Sequence, residues 1–253
     1  MSDHFSRVAA SYASCRPTYP EELFDYLAGL VHRRRLAWDC CAGTGQAAIP
    51  LASRFDAVVA TDISISMLEQ ALPHPRVEYR AVPAEASGLP PTSVDLVTVA
   101  QALHWLDPMA FYEEAGRVLL PGGVLAVWCY ASPQLDSTAL QRQLSRFYSD
   151  VVGPYWPANR RHVEAGYRTL GFPFAELDPP AFAMEERWTL PQLLGYVGTW
   201  SATQRFREVV GRDPVPDLER DLVPHWGLGS TRRVRWLLTV RVGRRPVVVE
   251  ENA

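Results

Sequence analysis

The stretch Leu36-Ala-Trp-Asp39-Cys-Cys-Ala-Gly43-Thr-Gly45-Gln46 decides the fold, because an apolar strand ends on a carboxylate and runs directly into a loop with two glycines. A second apolar strand, Ala57-Val-Val-Ala-Thr-Asp62, also ends on a carboxylate. Glycines let the backbone approach a ligand where a side chain would block it. Asp62 follows the loop by about 20 residues, the spacing at which a nucleotide-binding sheet places a carboxylate against ribose hydroxyls. The two segments predict a nucleoside pocket at the carboxyl edge of a parallel sheet.

The same loop, Gly43-Thr-Gly45-Gln-Ala-Ala48, also fits the dinucleotide fingerprint G-x-G-x-x-A, which would indicate an NAD-dependent oxidoreductase. Asp39 argues against that interpretation, since a fixed negative charge beside the loop would repel a pyrophosphate. The charge suits a ligand that carries an ammonium and a sulfonium group, as S-adenosylmethionine (SAM) does. We therefore expect SAM as the cofactor and S-adenosylhomocysteine (SAH) as its product, with the oxidoreductase as the alternative.

Composition narrows the possible partners. The chain has 253 residues, 47% of them hydrophobic, which is enough for one well-packed domain with an appended subdomain. A net charge of -3 and the lack of a long basic run disfavour nucleic acid. No apolar run is long enough to span a bilayer and no signal-peptide core is present, so a cytoplasmic protein without a membrane partner is expected. We expect a monomer or weak homodimer that acts on a small molecule.

Several kinds of chemistry are disfavoured by the residues present. All 25 basic residues are arginine, so a lysine Schiff base and a P-loop lysine are impossible. The four cysteines lack C-x-x-C spacing and the six histidines show no ligand spacing, so no metal site is expected.

Apolar runs of strand length alternate with helical patterns, which predicts an α/β, Rossmann-like doubly wound sheet, mostly parallel, with an antiparallel closing strand. The predicted strands cover residues 35–40, 57–62, 77–82, 94–100, 124–129 and 232–242. The predicted helices cover residues 4–14, 21–31, 64–72, 108–120, 140–152, 190–200 and 201–210. We expect one compact domain with four parts: an N-terminal helical lid (1–34), a SAM-binding core (35–131), a helical substrate cap (132–231), and a closing strand with a tail (232–253).

Several further motifs follow one another in a recognisable order. They are Tyr12-x-x-x-Arg16-Pro17-x-Tyr19-Pro20, Thr61-Asp62, Pro83-Ala84-Glu85, Gln101-Ala-Leu-His104-Trp105, Arg117-Val-Leu-x-Pro-Gly-Gly123 and Thr199-Trp200-Ser201. With the glycine loop, they make the chain resemble the class I SAM-dependent methyltransferases over essentially its whole length. Within that class it is similar to the trans-aconitate methyltransferase-like small-molecule group.

The resemblance implies a role for each matching residue. Asp39, Gly43 and Gly45 would surround the methionine part of SAM and Asp62 the ribose. Ile63 and Met67 would cover the adenine, with Ala84 and Glu85 at its edge. Tyr12, Arg16 and Gln101 complete the cofactor-binding set. The chain departs from the pattern where Cys41 replaces the usual first glycine of the loop and Pro83 replaces an acid.

His104 is the candidate catalytic residue, because it follows the fourth strand, at the edge where the transferred methyl should point. Its usual pKa range suits a general base, whereas a neutral histidine would position the acceptor by a hydrogen bond. Tyr19, Trp105 and Trp200 are the candidate acceptor-binding residues, with core packing as the alternative. We expect O-methylation of a carboxylic acid or a hydroxyl. A non-catalytic or cyclase-like SAM-binding protein remains a further alternative.

Overall fold

The computed structural model of the protein describes residues 16–247. The helix predicted over residues 4–14, and Tyr12 with it, lies outside the described residues. The predicted lid can therefore be followed only from Arg16 onwards.

A nine-stranded sheet forms the centre of the molecule, in the order β3-β2-β1-β4-β5-β9-β6, and β7 and β8 also pair with β9. Its strands are β1 (Leu36–Cys40), β2 (Ala57–Asp62), β3 (Val77–Ala81), β4 (Val94–Ala100), β5 (Leu119–Cys129), β6 (Gln134–Leu135), β7 (Ala175–Leu177), β8 (Phe182–Trp188) and β9 (Arg232–Arg244). Strands β1 to β5 are parallel and β9 runs antiparallel to β5. This arrangement confirms the predicted α/β class, with a mostly parallel sheet and an antiparallel closing strand.

The helices lie between and after these strands. They are α1 (Glu21–Leu30), α2 (Ala48–Ala52), α3 (Ile65–Leu68), α4 (Pro108–Val118), α5 (Thr138–Arg146), α6 (Arg160–Glu164), α7 (Leu190–Gly198), α8 (Ser201–Val210) and α9 (Val215–Trp226). A π-helical turn, Phe147–Val151, extends α5, and short 3₁₀ turns cover Leu103–Trp105 and Gly153–Tyr155. None of the helices within residues 16–247 is long and apolar enough to cross a membrane.

Strands β1, β2, β4 and β5 are largely buried on both faces, whereas β3, at the edge of the sheet, is partly exposed. Ala37 and Leu96 pack into one hydrophobic cluster, while Trp38 and Val97, their neighbours along the strands, pack into another. Successive side chains of a strand point to opposite faces, so a sheet covered on both sides needs apolar residues at almost every position. This requirement explains why the sequence of each central strand is a continuous apolar run.

Strand β9 connects the core to the rest of the chain. Its first half, from Arg232 to Leu238, pairs with β8, and its second half pairs with β5 and β7. Residues 132–231, which the sequence predicted as a helical cap, therefore contribute three strands as well as helices. Strand β8 was missed because its mixed sequence, with two glutamates and an arginine, lacks an apolar run.

Candidate functional site

The loop after β1 reverses direction through left-handed backbone conformations. The φ angles are 57° at Cys41, 55° at Gly43 and 82° at Gly45. Positive φ is easy for glycine and costly for a residue with a Cβ. Cys41 thus adopts a left-handed conformation that a glycine would accommodate more readily, at the expense of local strain. The N–H of Ala42 donates to the carbonyl of Thr61 at 2.9 Å and holds the loop against β2.

The two glycines are also required by their neighbours. A Cβ at Gly43 would lie 3.2 Å from Cε of Met67, and a Cβ at Gly45 would collide with the hydroxyl of Tyr79. A side chain at Gly45 would therefore have to displace Tyr79, and one at Gly43 would crowd the end of Met67. Met67, predicted to cover the adenine, is buried against this loop.

Asp62, at the carboxyl end of β2, fixes the position of the loop. The N–H of Gly43 donates to its Oδ2 at 2.9 Å, and the N–H of Ser64 donates to its Oδ1 at 2.8 Å. A carboxylate has about four acceptor positions, so these two bonds do not exhaust its capacity. The same side chain can therefore shape the loop and accept hydroxyl groups from a ligand.

Asp39 lies near the carboxyl end of β1, the strand next to β2, and is fully buried. The hydroxyl of Thr98 donates to its Oδ1 at 2.8 Å, whereas Oδ2 is buried without a hydrogen bond of normal geometry. Burial raises its pKa to about 7; the Thr98 bond opposes this rise and the negative charge of Asp62 adds to it. A buried carboxylate oxygen without a donor is costly, and a cationic donor from a ligand would remove that cost. Asp39 therefore fits the ammonium or sulfonium charge of SAM.

The predicted adenine contacts follow β2 and β3. Ile63, directly after Asp62, is 57% exposed. Ala84 is buried and Glu85 is exposed. An exposed apolar side chain next to a carboxylate can cover a flat heterocycle, which fits the predicted role of Ile63.

Gln101 joins the ends of β4 and β5. Its φ angle is 55°, and its side chain clamps the Tyr130 backbone: Nε2 donates to the carbonyl at 2.9 Å, and Oε1 accepts from the N–H at 2.7 Å. Left-handed residues other than glycine cluster at functional sites, where the surrounding structure holds them. The clamp places Gln101 at the mouth of a cavity between the core and the cap.

That cavity has an empty volume of about 510 Å³, which includes its opening to solvent. Its lining combines residues of the core, the cap and the N-terminal segment: Arg16, Gln101, His104, Trp105, Tyr130, Ala131, Ser132, Tyr148, Trp156, Arg160, Tyr196, Trp200 and Ser201. Arg16, Gln101, His104, Trp105 and Trp200 were predicted from the sequence and are brought together here. Tyr130, Tyr148, Trp156, Arg160 and Tyr196 were missed, because the fold gathers them from positions far apart in the chain.

Tyr19 lies elsewhere. It is buried, with its ring edge-on to Trp128 at a centroid distance of 5.4 Å, and it borders a separate cleft that includes Thr44 and Gly45. The structure does not place it in the lining of the cavity around His104. Arg16, close by in sequence, lines that cavity: its Nη1 donates to the Tyr130 hydroxyl at 3.3 Å, and its guanidinium lies 5.1 Å from the ring centroid of Tyr196.

His104 does not have the pKa that its sequence context suggested. Burial, reinforced by the positive charges of Arg160 and His162, lowers its pKa to about 3. Its Nδ1 lies 3.0 Å from the hydroxyl of Tyr167, which is fully buried. The imidazole is therefore neutral throughout the physiological range and is a much weaker base than a free histidine.

Comparisons with known proteins show the family to which the chain belongs. Residues 38–127, from β1 to β5, match the family model for the methyltransferase domain. A protein of Dictyostelium discoideum inferred to be a methyltransferase is 31% identical over 226 residues, which cover 88% of this chain and 86% of that protein. The chain belongs to the class I SAM-dependent methyltransferases.

Solved structures extend the comparison. A structure described as an inferred type II methyltransferase from Anaeromyxobacter dehalogenans is 43% identical to this methyltransferase, with a TM-score of 0.85 over 91% of this chain and 98% of that chain. A cyclase shares the fold at 17% identity, with a TM-score of 0.53 over 96% of this chain and 94% of its own. The cyclase likeness concerns the fold alone.

Three of the four cysteines lie within the described residues. Cys40, Cys41 and Cys129 are free thiols. Across residues 16–247, no group of histidine, cysteine, aspartate and glutamate side chains has the arrangement of a metal site.

Proposed function

We propose that this methyltransferase binds SAM between Asp39 and Asp62 and methylates an oxygen of a small organic acceptor in the cavity around His104. A carboxylic acid is the favoured acceptor and a hydroxyl compound is the second candidate. The resemblance to the trans-aconitate methyltransferase-like group supports a small acid. When bound, SAM supplies a methyl group on a cationic sulfur, which an oxygen nucleophile can displace.

The observation that carries this proposal is the hydrogen bond from the Gly43 N–H to Asp62. It joins the glycine loop of β1 to the carboxylate of β2, so both predicted halves of a nucleoside site face the same edge of the sheet. Asp39, paired with Thr98 in the adjoining strand, adds negative charge there. Together these features favour a cationic nucleoside over a pyrophosphate, and they disfavour the NAD-dependent alternative.

His104 supports a carboxylic acid through its hydrogen bonding. The Tyr167 hydroxyl lies 3.0 Å from Nδ1 of the imidazole, and we infer that its O–H is the donor in this hydrogen bond. A neutral imidazole that accepts at Nδ1 carries its proton on Nε2. The ring therefore offers the cavity an N–H donor. A donor aligns an acceptor oxygen but cannot remove its proton, and a carboxylate needs only alignment because it is already ionised.

Calorimetry with SAH and with NAD, followed by an assay of transfer from methyl-labelled SAM to small acids, alcohols and thiols, tests the proposal. We expect SAH to bind in a 1:1 complex, NAD not to bind, and label to pass to one or more acids. Binding of NAD without SAH would support the oxidoreductase. Binding of SAH without transfer to any compound would support the cyclase-like alternative, with which the chain shares only the fold.

A further inference from the structure

One wall of the acceptor cavity carries a cation that is held in place without an anionic partner. The guanidinium of Arg160 lies 4.5 Å from the ring centroid of Trp156, and its Nε donates to the Tyr148 hydroxyl at 3.1 Å. The nearby carboxylate of Glu164 accepts from that same hydroxyl, at 2.8 Å. Within residues 16–247, Arg160 makes no ion pair, and its two terminal nitrogens make no hydrogen bond.

The rest of the lining does not neutralise this charge. Arg16 and Arg160 both line the cavity, and no aspartate or glutamate is among the described residues that do so. The positive charge of Arg160 acts on nearby side chains, because it contributes to the lowered pKa of His104. It also opposes the burial that raises the pKa of Tyr148 to about 12. The cavity thus combines a fixed cation, the His104 N–H donor and no competing carboxylate.

The walls around the cation are flat and aromatic. The ring centroids of Trp156 and Trp200 lie 5.7 Å apart, and the rings of Tyr148 and Tyr196 lie edge-on to Trp200 at centroid distances of 5.5 and 5.7 Å. All four rings line the cavity. Such walls favour a planar or unsaturated body over a hydrated aliphatic one.

We propose that Arg160 determines the acceptor by binding its carboxylate, and that the acceptor is the anion of a planar aromatic or conjugated acid. The two unbonded terminal nitrogens provide the fork that matches a carboxylate, while stacking on Trp156 and the bond to Tyr148 fix the direction of the fork. Methylation would cancel the charge of the acid, so the ester would lose its ion pair with Arg160 and leave more readily. This inference rests on the proposed function for the reaction, but it makes a separate claim about binding.

The test is calorimetry on the SAH-saturated protein with matched pairs of ligands. The probes are benzoate, cinnamate and 2-naphthoate, each compared with its primary amide. We expect one or more of the acids to bind about 10-fold or more tightly than its amide, because an ionised partner strengthens the hydrogen bonds. Arg160→Gln should abolish this preference without changing affinity for SAH. Arg160→Lys, which keeps the charge but not the fork, should retain part of it.

Arg161→Gln is the matched control, since it removes the same charge from the next residue of α6, which is exposed and outside the cavity lining. It should behave as the unmodified protein does. Equal binding of acids and amides, no binding of any acid, or an undiminished preference in folded Arg160→Gln would overturn the subsite. Failure of the unmodified protein to bind SAH would instead refute the proposed function, so the two failures can be told apart.

Discussion

Asp62 combines two functions in one side chain, because it holds the loop through Gly43 and is placed to accept the ribose hydroxyls of SAM. Asp62→Ala should weaken SAH binding by about 2 kcal/mol, since two hydrogen bonds to a charged group are lost. Calorimetry measures the affinity, and thermal unfolding shows whether the variant remains folded. Unchanged affinity in a folded variant would mean that the pocket is misassigned.

Asp95→Ala is the control for this experiment. Asp95 also accepts two backbone N–H groups, from Arg35 and Leu36 at 3.0 Å each, but it does so at the start of β1, the opposite edge of the sheet. Its loss should lower the free energy of unfolding while leaving SAH affinity intact. The pair of variants separates loss of loop support from loss of a ligand contact.

The burial of Asp39 should make the folded protein less stable as the pH rises. Burial raises its pKa in the folded protein to about 7, well above the ordinary value of an aspartate. A raised carboxyl pKa means that the folded state binds the proton more tightly, so stability is complete below about pH 4 and falls as the pH rises to about 7. The free energy of unfolding lost over this pH range is on the order of 4 kcal/mol for this fully buried group. An asparagine does not ionise, so Asp39→Asn should lose less stability between pH 5 and pH 8 than the unmodified protein.

The same residue should also make SAM binding depend on pH, but in the opposite direction: affinity should rise with pH, whereas stability falls. A cationic ligand favours the ionised carboxylate, so binding should tighten from pH 6 to pH 8 and release protons to the buffer. Calorimetry in two buffers of different ionisation enthalpy measures that release. Proton release that is identical in Asp39→Asn would show that this carboxyl is not the group involved.

At the scale of elements, the glycine loop is the segment with the least tolerance for change. Gly45→Ala should reduce both stability and SAH affinity, because φ is 82° there and the new Cβ would collide with the Tyr79 hydroxyl. Gly211→Ala is the control: φ is 74°, but nothing lies within 4 Å of its Cβ. Left-handed strain alone costs roughly 1–2 kcal/mol. Gly45→Ala should therefore lose more than Gly211→Ala, and adding Tyr79→Phe should restore part of the difference. Equal losses in the two single variants would contradict the collision.

The observed strands and helices show which parts of the fold the sequence patterns could predict. Strands β1, β2, β3 and β4 lie within one residue of the predicted ranges. A strand buried on both faces must be apolar along most of its length, which accounts for β1, β2 and β4. The helix predicted over residues 64–72 is only Ile65–Leu68, followed by turns before Pro73. Strand β8 was not predicted, because its pairing with β9 is a tertiary contact and its sequence lacks an apolar run. Helix α9 was also missed, although its buried residues Leu218, Leu222 and Trp226 recur every four positions, as one face of a helix does.

At the scale of the whole molecule, β9 pairs both with β5 of the sheet's parallel part and with β8 of the segment 132–231. Trp236 of β9 is fully buried, contacts Trp188 and Tyr196, and donates from its indole N–H to the Tyr196 hydroxyl at 3.0 Å. We predict a single cooperative unfolding transition, and a loss of roughly 3–5 kcal/mol for Trp236→Ala. Far-ultraviolet circular dichroism and tryptophan fluorescence should give coincident curves. Two separate transitions, with the core surviving the cap, would contradict this prediction.

The acceptor cavity belongs to this scale too, and for that reason the sequence predicted only part of it. Motif positions pointed to His104 and Trp105, which follow β4 directly. Tyr148, Trp156 and Arg160 come from a segment whose place over the sheet is set by packing among helices and by β9. No local pattern marks such residues, so their part in the site could be found only from the fold.

The chemical stability of the labelled product tests the central claim most directly. The protein is incubated with methyl-labelled SAM and the planar acids, and the product is then treated with mild base. We predict that the label transferred to an acid is released as methanol, because a methyl ester hydrolyses in base. Arg160→Gln should form less of this product, and Asp62→Ala should need more SAM to form it. Label that stays on the acceptor after base treatment would show an ether or a carbon–methyl bond, and would contradict methylation of a carboxylate.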